Sequence, residues 1–278
     1  MRRRRKRISA LLWAALAALA LGGCGGGSRP VELTVFAAAS MQETLTELAR
    51  RYQVAAPEVT LVYNFDSSGT LRTQIAEGAQ CDLFISAAPK QMDQLDITAD
   101  PAVNAEGLDF VLSDTRCDLL ENKVVLAVPK GNPRSVDSFA DLAAELTAGR
   151  VLLAMGNSDV PVGQYTQKIF DYFHLDEGTL EAKGVLTYGS NVKEVVTQVA
   201  EAAADCGVVY ATDAFSAALT VVDEASPEMC GRVVYPAAVL KTARHEAEAR
   251  AFLEYLKSEE AAGVFRSVGF TPLWTAGT

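Results

Sequence analysis

TVFAAASMQETL, Thr34 to Leu45, decides how the rest of the chain is read. A β-rich run, Leu33-Thr34-Val35-Phe36, passes through three alanines to Ser40. Glu43 follows three residues later, a capping-box spacing, and apolar residues then recur at helical intervals. The pattern predicts a strand that hands Ser40 to the first turn of a helix through residues too small to crowd a neighbour. It predicts Ser40 as the cap of that helix and leaves open whether something is also held in front of it.

Outward from this stretch, strands alternate with helices. Strand-like runs cover 33–36, 59–65, 83–86, 124–128, 151–155, 208–210 and 233–240. Helical patterns cover 41–52, 71–77, 139–146, 164–173, 192–204 and 244–256. Short apolar strands between helices predict an α/β fold with parallel sheets covered on both faces. In such folds ligands sit beyond the carboxyl ends of the strands.

Those ends carry a recurring device. After Phe65 comes Asp66-Ser67-Ser68-Gly69-Thr70, and after Met155 a loop leads to Pro161, a residue suited to a first helical turn. After Tyr188 comes Gly189-Ser190-Asn191-Val192, with capping-box spacing from Asn191 to Glu194. With Ser40 these make four helix starts dressed in hydroxyl, amide and glycine residues. Each start offers unpaired N–H groups and a partial positive charge. Singly they are ordinary caps; converging on one cleft they would bind an anion without a cationic side chain.

The N-terminus reads as a processed leader. MRRRRKR precedes a 14-residue uncharged run from Ile8 to Leu21, too short to span a bilayer and suited to a signal-peptide core. Leu21-Gly22-Gly23-Cys24 then resembles a bacterial lipobox, with Cys24 as the lipidated residue and the following glycines as a tether. Residues 1–23 are therefore expected to be removed and 24–30 to link a lipid anchor to the body, which places the protein outside the cytoplasmic membrane.

Without that leader the balance shifts from 25 basic against 35 acidic residues to 19 against 35, a net charge of −16. This argues against a nucleic-acid role. Cys81, Cys117, Cys206 and Cys230 show no zinc-ligand spacing; an extracytoplasmic address permits disulfides, and buried free thiols are the alternative. No G-x-S-x-G elbow occurs, and the two histidines, His174 and His245, lie in polar, helix-like surroundings. A serine hydrolase is therefore not expected. A ferric-ion binder would need clustered tyrosines and acids that the strand ends lack.

Together, AAAS at 37–40, FDSSGTL at 65–71, CDLFISAA at 81–88, VPVGQY at 160–165, SNVKEV at 190–195 and GVVYATDA at 207–214 resemble the periplasmic molybdate-binding proteins of ABC importers. The resemblance runs in order from about 31 to 270. It implies a class II periplasmic-binding-protein architecture, two doubly wound lobes joined by a hinge, closing on molybdate or tungstate. Lobe 1 would hold 31–120 and 235–278 and lobe 2 would hold 121–234.

The resemblance further implies that Ser40 and Ser68 each give a hydroxyl and a backbone N–H, Val162 and Val192 backbone N–H groups, and Tyr210 its phenolic O–H. Molybdenum would be held only as its oxyanion, with no separate cofactor and no catalysis. The expected partners are the importer's membrane subunits and the membrane itself, the latter through the lipid on Cys24; the protein is expected to be a monomer. Position 162 is valine where the family often has alanine. Asp66 would repel an anion, so it is expected to turn away and cap the helix that begins near Leu71. The alternative is a binder of sulfate or phosphate, and a protonated phosphate would require an acceptor, for which Asp66 is the candidate.

Overall fold

A computed structural model describes residues 30–274 of this chain. The expected leader, the lipidation site at Cys24 and the tether up to residue 29 lie outside the described residues. The strands are β1 (Val31–Ala38), β2 (Val59–Asp66), β3 (Leu83–Ile85), β4 (Cys117–Asn122), β5 (Val124–Val128), β6 (Leu153–Gly156), β7 (Leu186–Gly189), β8 (Cys206–Tyr210), β9 (Thr220–Glu224), β10 (Val233–Val239) and β11 (Thr271–Pro272). The helices are α1 (Gln42–Ala55), α2 (Ser68–Ala76), α3 (Pro89–Asp93), α4 (Phe139–Ala148), α5 (Pro161–Tyr172), α6 (Glu177–Ala182), α7 (Val192–Ala200), α8 (Ala211–Ser216), α9 (Pro227–Cys230), α10 (Glu246–Leu256) and α11 (Glu259–Val268).

Two sheets organise these elements. The first has strand order β11-β4-β10-β3-β1-β2 and the second β7-β6-β8-β5-β9. The chain crosses from the first to the second at Lys123, between β4 and β5, and returns between β9 and β10. The sheets are mixed, which corrects the expectation of parallel sheets. β1 runs parallel to β2 and β3, but β10 is antiparallel to β3 and β4. In the second sheet β6 is parallel to β7 and β8, while β5 is antiparallel to β8 and β9. The crossings cause this: a strand that arrives directly from the other sheet, without a βα crossover, enters in the opposite sense.

Packing follows from the local pattern. β1 sends Leu33, Val35 and Ala37 into the core, and α1 lays Leu45, Leu48 and Tyr52 against it at intervals of one helical turn. One contiguous apolar cluster spans both sheets. At the crossing it becomes aromatic: Tyr210 meets Tyr235 edge-on at 5.7 Å between ring centroids, and Tyr235 meets Phe270 at 5.3 Å. In β10 the register shifts between Tyr235 and Pro236. Proline has no N–H to give to the ladder, so the strand bulges there, and a bulge re-aims its side chains.

Among the described residues the four cysteines, Cys81, Cys117, Cys206 and Cys230, are free, and all but Cys117 are buried. Burial pushes the Cys206 thiol up to about 12, so it stays protonated and unreactive. Among the described residues no helix is long and apolar enough to cross a membrane.

Candidate functional site

The carboxyl ends of β1, β2, β6, β7 and β8 each lead within a few residues into a helical turn. All five junctions supply the wall of one pocket between the two sheets. Ala38, Ala39 and Ser40 line it from the β1 junction, and Asp66, Ser67 and Ser68 from the β2 junction. Val160 and Pro161, Val192, and Tyr210 line it from the second sheet's side, with Ala87 completing the wall. The cavity enclosed among these atoms is small, about 10 Å³. No lysine, arginine or histidine lines it.

Ser40 is not a helix cap. It sits in a 3-10 turn, Ala39–Met41, and the position before α1 is Met41, with no side-chain cap bond. The extra tight turn displaces Ser40 from the capping position that its spacing from Glu43 suggests. Its hydroxyl instead pairs with the Tyr235 hydroxyl at 2.9 Å, and Ser40 is 4 % exposed. The Tyr235 oxygen also receives the Asn122 amide at 3.2 Å, and that amide bridges to Thr212 Oγ1 at 2.9 Å.

The β2 junction corrects a second expectation. Ser67, not Asp66, caps α2: its hydroxyl accepts the Thr70 N–H at 3.1 Å. The Asp66 carboxylate accepts the N–H of its neighbour Ser67 at 2.7 Å and remains on the pocket wall. The helix begins at Ser68, three residues before Leu71, and this places Ser67 at its cap position. Ser68, fully buried, accepts the Ala87 N–H on its own hydroxyl oxygen at 2.9 Å.

On the opposite wall, α5 starts with Pro161 at its first position, as the sequence predicts. Val162 is fully buried on that first turn and does not line the pocket; Val160 and Pro161 do. Gly163 allows the helix to start so close to β6, because a Cβ there would lie 2.3 Å from the carbonyl oxygens of Gly156 and Asn157. Asn191 caps α7 by accepting from Lys193 and Glu194, which leaves the Val192 N–H unclaimed by the cap and Val192 on the pocket wall. The Tyr210 hydroxyl is buried with no hydrogen-bond partner among the described residues. Burial pushes its pKa well up, so it remains a neutral O–H donor.

Polar residues absent from the sequence-based site stand beside it. Lys193, next to Val192, reaches Glu43 of α1 at 2.7 Å and Asp213 of α8 at 2.9 Å. Asp213 is almost fully buried, and burial lifts its carboxyl to about 6 against the pull of Lys193. The Glu43–Lys193 pair joins the first sheet's side to the second's, as does Gln91 to Gln164 at 3.2 Å. No local periodicity flags Asn122, Tyr235 or Asp213, since each acts through a partner distant in sequence.

The pocket offers hydroxyl and helix-start N–H donors with no cationic side chain, and one carboxylate, Asp66, on its wall; such donors suit a small anion. The chain belongs to the family of bacterial extracellular solute-binding proteins, whose model matches residues 33–271. That family is one of solute binders, not enzymes. A Bacillus subtilis protein, YvgL, provisionally named an ABC transporter substrate-binding lipoprotein, is 34 % identical over 96 % of this chain and 98 % of its own. The molybdate-binding protein ModA of Haemophilus influenzae is 32 % identical over 91 % of this chain and 96 % of its own. In fold, the chain is similar to the periplasmic molybdate-binding protein of Azotobacter vinelandii, with a TM-score of 0.72, 24 % identity, and coverage of 86 % of this chain and 98 % of that one. The architecture is accordingly two-lobed α/β.

Proposed function

We propose that this protein captures molybdate or tungstate between its two lobes and delivers it to the membrane subunits of an ABC importer. The observation that carries the reading is the donor inventory of the pocket. Ser68 already accepts from a backbone N–H, the Tyr210 hydroxyl has no partner among the described residues, and the cap of α7 leaves the Val192 N–H free for a ligand. A fully ionised tetrahedral oxyanion only accepts hydrogen bonds, so it suits such a wall. The relationship to ModA proteins supports molybdate in particular.

Titration calorimetry with molybdate, tungstate, sulfate and phosphate tests it. Molybdate and tungstate are expected to bind most tightly, and Ser40→Ala to weaken them about 10- to 100-fold, the loss of one hydrogen bond to a charged ligand. Tighter sulfate binding would overturn the molybdate reading. The second reading is a phosphate binder, favoured by one observation: Asp66 stays on the pocket wall, where its carboxylate would accept the proton of hydrogen phosphate.

We also propose that Cys24 bears a lipid that anchors the protein to the outer face of the cytoplasmic membrane, and that the protein acts there as a monomer. The lipobox-like Leu21–Cys24 stretch and the lipoprotein name of the Bacillus subtilis relative support the anchor. Cys24→Ser is expected to move the protein from the membrane to the soluble fraction; equal partitioning of the two forms would overturn the anchor.

A further inference from the structure

The hydroxyl of Ser40 has one proton, and its direction decides what the pocket accepts. That direction can be traced from a backbone group. The Lys123 N–H can only donate, and it meets Asn122 Oδ1 at 2.8 Å. The Asn122 amide is thereby oriented with Nδ2 toward Thr212 and Tyr235, and Nδ2 also only donates. The Tyr235 oxygen is therefore an acceptor from Asn122, and its own proton needs an acceptor. Tyr235 is fully buried, and Ser40 Oγ at 2.9 Å is the acceptor it meets. The reverse arrangement would leave a buried phenolic proton unpaired, which is the costly case. With its oxygen occupied by Tyr235, Ser40 has its own proton free for the cleft.

We infer that Tyr235, held by Asn122, is a positioning residue that makes Ser40 an obligate donor, and that it thereby selects fully ionised oxyanions over protonated ones of the same charge. The inference rests on the proposed oxyanion site and deepens it. Ser68 accepts the Ala87 N–H in the same way, so each serine oxygen has one lone pair filled and keeps its own proton for the cleft. A ligand that carries its own O–H could donate only to the remaining lone pair, which would leave the serine proton without an acceptor among the described residues. The bulge at Tyr235/Pro236 lies on a strand next to the lobe crossing, so the residue that orients Ser40 also sits where the two sheets join.

The test compares sulfate and molybdate with hydrogen phosphate by calorimetry at a mildly alkaline pH, where all three are dianions and only phosphate keeps a proton. Wild type is expected to favour the best of the proton-free dianions strongly. In Tyr235→Phe the Ser40 hydroxyl can turn and accept, so that lead should narrow about 10-fold, with loss of the proton-free ligand and little loss of hydrogen phosphate. In a Ser40→Ala background the same substitution should change the ratio by less than about twofold, because the effect passes through Ser40. A merely structural role would weaken all ligands together and persist in that background.

An unchanged ratio in Tyr235→Phe, or equal narrowing with and without Ser40, overturns the inference. If wild type binds sulfate more tightly than molybdate and Tyr235→Phe still narrows its lead, the molybdate reading fails and this one stands. If wild type binds hydrogen phosphate as tightly as the proton-free dianions, or binds no oxyanion, this one fails. Should Tyr235→Phe not fold, Asn122→Ala removes the donor that occupies the Tyr235 oxygen and is expected to narrow the same ratio.

Discussion

Asp213 is a carboxylate with almost no water around it, beside the pocket and against Lys193. Burial raises its pKa to about 6, and the nearby Lys193 opposes the rise. A folded-state pKa above the unfolded one means the native state holds the proton longer. Between the ordinary aspartate range and about 6 the folded protein binds more protons than the unfolded chain, so this group's contribution to stability falls as pH rises and is lost above about 6. Asp213→Asn mimics the protonated form at every pH. Urea unfolding should therefore show the variant gaining on wild type by about 1–3 kcal/mol from pH 4.5 to 7.5, the linkage value of a carboxyl raised by burial from the ordinary aspartate range to about 6. A difference that is flat with pH would sink this account. At the same scale, the residues that share the pocket were partly legible. Ser40, Ser68, Val192 and Tyr210 each stand where a strand hands over to a helical turn, and that junction is written in neighbouring residues. The partner of Ser40 was not, because Tyr235 lies 195 positions away and no local period carries such a contact.

Helix starts carry the site, so capping is the relevant energy at the scale of elements. Asn191 holds the first turn of α7 through two backbone N–H groups, Lys193 and Glu194, at 3.0 and 3.2 Å. Glu194 returns the bond to Ser190 rather than to Asn191, a capping box shifted by one residue. Asn191→Ala is expected to cost about 1 kcal/mol of stability by urea unfolding. It should also weaken oxyanion binding, since the Val192 N–H loses its fixed direction; unchanged affinity would show that the cap serves the helix alone. Helices with a strong apolar stripe, such as α1 and α7, could be read from spacing. β4 and β9 could not: CDLLEN and TVVDE carry charge where an alternating strand would show apolar residues. Such strands gain their pairing from neighbours in the sheet and not from their own text. The same reason hid the mixed sheet order, since strand direction follows from the lobe crossings and not from composition.

At the scale of the whole molecule, the two sides of the pocket touch in this structure. Glu43 meets Lys193, Gln91 meets Gln164, and Gly69 at the start of α2 lies against the backbone of Asp159 in the loop before α5. A Cβ on Gly69 would sit 2.1 Å from the Asp159 carbonyl oxygen, a backbone atom that cannot swing aside. Gly69 carries no positive φ in this structure, so what an added Cβ threatens is the contact and not the local backbone. If the lobes open without ligand, as a hinge between two sheets allows, the clash exists only when they close. Gly69→Ala should then leave the ligand-free protein with wild-type thermal stability, because the open state has room for the methyl group. Overpacking of about 1–3 kcal/mol, charged to the closed state alone, would lower molybdate affinity about 5- to 150-fold. Small-angle scattering gives the second readout: wild type is expected to compact at saturating molybdate, and the variant to stay extended at the same concentration. Should the variant bind and compact like wild type, the contact between Gly69 and Asp159 does not limit closure. A ligand-free variant that melts early would mean instead that the two sides already touch without ligand, and that the pocket is preformed rather than closed by its anion.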